Sequence, residues 1–265
     1  MSERPVVLIT GSARRVGRAI ALHLAAAGFD VAVHYRSSAE AARQTVADAC
    51  TAGASHQTRA ASFAADLSDE HACRALVPAV VAHFKRLDAV VNNASMFEYD
   101  DLASFSPALM ERHWRANTAP AILLTQALFQ LLESTGREGC VVNLSDQKLW
   151  NPNPDHFSYT LSKAALEAAT VMLAQACAPR LRVCGVAPGV TLPSGPMSDA
   201  EFADLPRHTP LRRLSTPQDI ARTVLFLLES PAITGTTLLV DGGQHLQGQS
   251  RDVQFLDNPH DADRP

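Results

Sequence analysis

Tyr159 and Lys163 lie four residues apart in the segment SYTLSKAALEAAT. On a helix, that spacing turns a phenol and an ammonium to one face, about one turn apart. A positive charge beside a phenol draws its pKa down toward neutrality and makes it a useful proton donor. Upstream, TGSARRVG at residues 10–17 joins a β-like run to a helical stretch and carries Gly11 and Gly17. In a doubly wound fold, such a turn presents free helix N-terminal N–H groups to a dinucleotide pyrophosphate. Phenol, ammonium and turn together read as the acid and the cofactor cradle of a hydride-transfer enzyme. TGSARRVG alone is weak, because Arg15 stands where the G-x-G-x-x-G template has its middle glycine, and glycine turns after strands also serve structure alone.

The elements that must hold these groups alternate along the chain. Strands are expected at 6–10, 31–35, a run leading to Asp66, 89–94, 140–145, 182–188 and 236–241. Helices are expected at 15–27, with Gly28 closing it, and then at 39–52, 69–86, 107–133, from the SYTLSK segment to 178, and 216–230. Short apolar strands alternating with helices imply one α/β doubly wound domain whose parallel sheet is covered on both faces. Two stretches depart from the pattern. Residues 190–215 are rich in proline and serine, and their length and place suit a substrate lid. The domain is expected to run over 1–245. The polar tail at 246–265 is expected to be disordered or to dock on a neighbouring subunit.

The end of the second strand bears on cofactor choice. An acid there would accept hydrogen bonds from a ribose 2′-hydroxyl and repel a 2′-phosphate. This chain has His34, Tyr35, Arg36, Ser37 and Ser38, with no acid before Glu40. The planar fork of Arg36 suits a phosphate, a serine hydroxyl can donate beside it, and Arg14 or Arg15 can add charge from the adjoining turn. NADP(H) is therefore favoured over NAD(H), against the plainer reading of Arg36 as a solvated loop residue.

Composition narrows the class further. The chain has 265 residues, 46% hydrophobic and 19% charged, enough to bury a sizeable core. A net charge of −4 gives no reason to expect nucleic acid or an anionic membrane as partner. The first residues reach an apolar β-like run at once, without the layout of a signal peptide, and no apolar stretch approaches the roughly 20 residues of a membrane span. A cytoplasmic location is expected. Five cysteines without C-x-x-C spacing and ten histidines without metal-ligand spacing predict neither a disulfide framework nor a metal site.

In order along the chain, TGSARRVG, Asp66-Leu67, NNAS at 92–95, Asn117, Tyr159/Lys163, APG at 187–189 and DGG at 241–243 resemble the short-chain dehydrogenase/reductase family. The resemblance covers about residues 5–245, although the NNAG motif and the middle glycine are altered. It implies a Rossmann domain with a mostly parallel seven-stranded sheet and an assembly into a homo-tetramer or dimer through helices 107–133 and 157–177. It also implies a cofactor set of Gly11, Arg14, Arg15, Val16, Gly17, His34, Tyr35, Arg36, Ser37, Asp66, Leu67, Asn93, Ala94, Ser95, Lys163, Pro188, Gly189 and Thr191. Within it, Asn93 and Ala94 line the coenzyme, Asp66 lies at the adenine and Lys163 holds the nicotinamide ribose. Asn117 joins the catalytic set as an anchor for a relay water, with capping of a helix kink as the alternative.

The family's triad has a serine three residues after the asparagine of strand five and 13 before the tyrosine. Here both offsets land on Asp146, and Ser145, one step away, would face the other side of a strand. Asp146 is the expected third group, with Ser145 as the alternative. An Asp-Tyr-Lys set, Arg15 in the turn, HYRSSAEA after strand two and NNASMF after strand four are similar to the pteridine reductase and dihydromonapterin reductase branch. That likeness implies a pterin substrate met by Arg15, Ser95, Phe97, Asp146 and Tyr159, with Phe97 stacking on it. A loop anchor packed into the core is the other reading of Phe97. The neighbouring carboxylate is in tension with an acidic phenol: Asp146 must either be held protonated or be balanced by Lys163 and by substrate N–H groups. Two other functions remain open: a carbonyl reductase of 3-oxoacyl or sugar substrates, and a non-catalytic NADP-binding sensor or scaffold.

Overall fold

The computed structural model describes residues 4–193 and 197–256. Seven strands form one sheet in the order β3-β2-β1-β4-β5-β6-β7: β1 Val6–Ile9, β2 Asp30–Tyr35, β3 Ala60–Ala64, β4 Ala89–Asn92, β5 Gly139–Leu144, β6 Leu181–Pro188 and β7 Thr237–Val240. Every pairing is parallel, so the sheet is more regular than the mostly parallel one expected. Period-two alternation divides its side chains between two layers. Val7 and Ile9 face helices α1 (Arg15–Ala26), α2 (Ala39–Ala52) and α8 (Pro217–Glu229). Val6 and Leu8 face α3 (Glu70–Phe84), α5 (Ala119–Thr135) and α6 (Phe157–Cys177). Helix ends follow local chemistry. Asp69 caps α3 through the Ala72 N–H at 2.7 Å, and Thr216 with Asp219 forms a reciprocal capping box on α8.

The helix expected over 107–133 is not continuous. It comprises α4 (Pro107–His113), a wide π-type turn at Trp114–Thr118, and α5. Pro120 explains the break in regularity: it has no N–H to donate back, and its ring presses on the preceding turn. The widened turn carries Asn117. Residues 190–215 hold a short helix, α7 (Asp199–Asp204), started by a Ser198/Glu201 capping box, while 194–196 lie outside the described residues. The tail, expected to be disordered or to dock on a neighbouring subunit, packs against its own chain as far as Phe255, and 257–265 lie outside the described residues. Among the described residues, no helix is long and apolar enough to cross a membrane.

A buried polar ladder locks α6 to the sheet. Asn92 and Asn143 sit in register across β4 and β5, and Asn92 Nδ2 donates to Asn143 Oδ1 at 2.8 Å. Asn143 Nδ2 then donates to Thr170 Oγ1 on α6 at 2.9 Å. Removing the middle member strands two buried groups. Asn143→Ala is expected to lower unfolding free energy by about 1–3 kcal/mol in urea titration; an unchanged midpoint would show that the ladder adds nothing.

Candidate active site

All seven strands point their C-terminal ends the same way, and the crevice there is where ligands bind in open α/β sheets. The turn from β1 to α1 opens it. Gly11 has φ +61°, and a Cβ there would meet Ala94 Cα at 3.0 Å. A Cβ on Gly17 would stand 2.6 Å from the Gly11 carbonyl oxygen, so that position brings helix and turn into direct contact. Arg15 adopts φ +54°, the left-handed conformation that the missing glycine would take freely. The N-terminus of α1 has no side-chain cap and no acid in its first turn, leaving its N–H groups for an anion.

A groove of about 760 Å³ runs from this turn. Gly11, Arg14, Arg15, Val16 and Gly17 form one wall, with His34, Tyr35, Arg36 and Ser37 beyond them. Asp66 and Leu67 close the far end, and Asn93, Ala94 and Ser95 form its floor toward the sheet centre. Five arginines (Arg14, Arg15, Arg36, Arg112 and Arg115) line it against only Asp66 and Glu98, and Glu98 is paired with Arg112 at 2.5 Å. Those glycines, free helical N–H groups and cationic walls fit a dinucleotide carrying an extra phosphate.

Two of the expected cofactor residues act mainly on protein. The buried ring of His34 accepts from the Gly11 N–H at Nδ1 (2.9 Å) and faces the Ala65 carbonyl through Nε2 (3.1 Å). That arrangement fixes a neutral ring with the proton on Nε2, and burial holds its pKa below the usual histidine value. Asn93 donates from Nδ2 to the carbonyls of Thr10 (2.8 Å) and Gly11 (3.2 Å). Pro188, Gly189 and Thr191 lie off the groove. Pro188 ends β6, Gly189 continues the ladder to Val240, and Thr191 pairs with Ser215 at 2.7 Å.

The reactive corner lies past Ser95. Tyr159 Oη donates to Asp146 Oδ2 at 2.7 Å, and the Lys148 N–H donates to Asp146 Oδ1 at 2.9 Å. Lys163 Nζ donates to the Leu144 carbonyl at 2.7 Å and sits 5.7 Å from the centre of the Tyr159 ring. Asp146 is the group that reaches the phenol. Ser145 is turned into the protein, where its hydroxyl is buried without a partner among the described residues.

The electrostatics correct the simplest expectation for Tyr159. Burial, then the charge of Asp146, push the phenol well above its ordinary pKa instead of toward neutrality. Burial raises Asp146 despite the Lys148 N–H and the Tyr159 hydroxyl, and it lowers Lys163 to about 8. A buried carboxyl and a buried phenol in contact cannot both be ionised, so the corner holds a proton tightly.

Asn117 ties the corner to the loop after β4. Its Oδ1 accepts from the Met96 N–H at 2.7 Å and from Ser95 Oγ at 3.2 Å. Its Nδ2 donates to the Met96 carbonyl at 3.0 Å and to Ser162 Oγ at 2.9 Å. With both ends occupied by protein, the side chain braces 95–96 against α6. Phe97 follows that brace. It stacks on His156 (4.1 Å, 23°) and meets Tyr159 edge-on (4.7 Å), yet it remains 40% exposed instead of sinking into the core. The Arg15 guanidinium donates to the Pro193 carbonyl at 2.8 Å.

Two residues that position the site were not among those expected from the sequence. Thr10 Oγ1 accepts from the N–H groups of Asn93 and Ala94, each at 2.9 Å. Asp100, fully buried, takes the Ser158 N–H at 2.9 Å together with its hydroxyl, and so caps the helix that carries Tyr159. Only Thr10 had a recognisable place, immediately before the glycine turn. Asp100 reaches α6 from 58 residues away through a loop.

Comparison with known proteins agrees with this layout. The family described as enoyl-(acyl carrier protein) reductase matches residues 11–245. A putative ketoacyl reductase 2 of the granaticin polyketide synthase of Streptomyces violaceoruber is 35% identical over 92% of this chain and 97% of its own. The 3-oxoacyl-[acyl-carrier-protein] reductase FabG of Staphylococcus aureus is 34% identical over 90% of this chain and 97% of its own. Among solved structures, FolM alternative dihydrofolate reductase 1 from Brucella canis, complexed with NADP, has a TM-score of 0.86 at 37% identity, covering 95% of this chain and 98% of that one. With the glycine turn, the asparagine floor and the Tyr159/Lys163 helix in their places, the chain belongs to the short-chain dehydrogenase/reductase family.

Proposed function

We propose that the chain is an NADPH-dependent reductase acting on the C=N bond of a dihydropterin-type substrate. The observation that carries this reading is the Asp146 carboxyl hydrogen-bonded to Tyr159 where a serine hydroxyl would serve a simple ketone. A carboxyl can meet an aminopyrimidine, which offers N–H donors and ring nitrogens; a ketone offers only an acceptor. Phe97 keeps part of its ring open beside Tyr159, as a flat heteroaromatic guest requires. The likeness to FolM supports the same substrate class. The similarity to ketoacyl reductases favours a second reading, reduction of a 3-oxoacyl carbonyl, against which Asp146 stands.

Arg36, with Ser37 and Arg14 beside it in the groove, would hold the 2′-phosphate of NADP(H), and Asp66 would face the adenine. Asn93 and Ala94 would line the coenzyme, and Lys163 would orient the nicotinamide ribose. Bound NADPH supplies the hydride. Tyr159 gives the proton to the ring nitrogen next to the carbon reduced. While Asp146 is ionised, the phenol hydrogen is committed to its Oδ2. Once Asp146 is protonated, the carboxyl can donate to the phenol oxygen, which frees the phenol hydrogen for substrate. The raised pKa of Asp146 serves that exchange, and the Lys163 charge offsets the anion left behind. We further infer a homo-tetramer or dimer in the cytoplasm, with the exposed Leu161 and Met172 of α6 available to a second copy.

Three measurements test this reading. Following NADPH absorbance with dihydrobiopterin, Tyr159→Phe is expected to lose about 10²–10⁴-fold in turnover while NADPH still binds; wild-type turnover would remove it as the proton donor. Asp146→Ser should lower kcat/KM for dihydrobiopterin far more than for a small diketone. Equal losses on both would deny Asp146 any part in substrate choice. In a pH series, turnover should fall as pH rises through the elevated Asp146 pKa and again above about 8 as Lys163 loses its proton. The first limb should vanish in Asp146→Ser, and a rate that climbs with pH across both would contradict the exchange.

A further inference from the structure

We propose that residues Arg251–Phe255 are a wall of the reaction site contributed by the same chain, positioning Asp146 through Lys148 and Phe97 through His156. The inference rests on the proposed function for its substrate and on separate contacts for its geometry. Two lines of contact run from this segment to the reactive corner.

The first line is ionic. Arg251 grips the buried Asp155 carboxylate with two nitrogens, at 2.8 and 2.9 Å, and the Asp252 N–H donates to the same group at 2.7 Å. The Arg251 fork holds Asp155 below the usual carboxylate range although burial works the other way. Asp252 Oδ2 accepts from Lys148 Nζ at 3.0 Å, and that ammonium also donates to the Asp155 carbonyl at 2.7 Å. Lys148 is 5% exposed, and its own N–H is the bond that aims Asp146 Oδ1. The backbone that orients the carboxyl is thus pinned from the C-terminal side. A buried ammonium that loses its counter-charge is costly, so the pin is firm only while Asp252 is seated.

The second line is aromatic. Phe255 lies parallel to the His156 ring (6.2 Å, 24°), His156 stacks on Phe97, and Phe97 meets Tyr159 edge-on. Tyr99 packs its edge against both Phe255 and His156. His156 is 3% exposed and holds φ +53°, and burial keeps its imidazole below the usual histidine pKa although the Glu98 backbone and the Gln254 side chain beside its nitrogens work the other way. An imidazole so placed acts as a flat spacer. It keeps one face of Phe97 covered and sets the ring's angle to the phenol. Lys148, His156, Asp252 and Phe255 are therefore positioning residues.

The test compares full-length Phe255→Ala, His156→Ala, His156→Phe and Asp252→Asn with the wild type, using NADPH with dihydrobiopterin and, separately, a small diketone. In Phe255→Ala and His156→Ala, KM for dihydrobiopterin is expected to rise fivefold or more while the NADPH Kd stays within twofold. His156→Phe should restore KM, because the ring and not its nitrogens is what the stack uses. Asp252→Asn should act on kcat more than on KM. The proposal is overturned if KM stays at the wild-type value in both alanine variants, if His156→Phe is as impaired as His156→Ala, or if kcat is untouched in Asp252→Asn. A general loss of NADPH binding would also overturn it, since the segment would then act on the whole fold. If the wild type reduces no dihydropterin, the pterin reading falls, while the same criteria applied to the diketone still decide the wall.

Discussion

A carboxyl and a phenol share one hydrogen at 2.7 Å in a place where neither ionises easily, and the surrounding architecture serves that contact. Asp146 stands just past the end of β5, Tyr159 in the first turn of α6, and neither element alone fixes their separation. The asparagine ladder through Asn92, Asn143 and Thr170 sets the helix against the sheet from within. Asp100 holds the helix start, and Lys148 holds the carboxyl from the far side. Each is a buried polar group with its partners satisfied, the condition under which such networks stiffen a site instead of weakening it. The ammonium of Lys163, anchored to the Leu144 carbonyl, supplies the opposing charge without touching the phenol oxygen directly.

Cofactor groove and reactive corner are joined by one short loop. Thr10 and Asn93 close the β1 turn onto the end of β4, and Asn117 braces the next residues against α6. The wide turn at Trp114–Thr118 brings Asn117 to that position, so the irregularity that Pro120 forces on the helix has a use in the site.

Much of this was legible in the chain because it rests on local rules. The alternation of apolar strands with helices, the Gly11 turn, the absence of an acid after β2 and the i,i+4 pair are all short-range patterns, and each points to its element or chemistry without help from the rest. The 13-residue offset from Asp146 to Tyr159 was also readable, since a strand's alternation separates Asp146 from Ser145. What stayed hidden depends on distant segments meeting. Asp100 on the start of α6, Lys148 under Asp252, and the tail on His156 are encoded by no spacing. The rise of the Tyr159 pKa was hidden for the same reason, because burial, followed by the Asp146 charge, causes it and sequence does not measure burial.

An all-parallel sheet gathers its strand ends on one edge, and this has a consequence for how the protein comes into being. Residues 11, 36, 66, 93, 146 and 159 meet only after strands from both halves of the chain have been laid side by side by crossovers. Pairing of that kind closes long loops before it is rewarded, so assembly is slow relative to a helical bundle of equal length. The cofactor groove is lined by the first half of the chain, and the reactive corner with Asp146 and Tyr159 comes from the second. A nucleotide that reaches from that groove to the corner therefore ties the two halves together and adds its binding energy to the fully folded state.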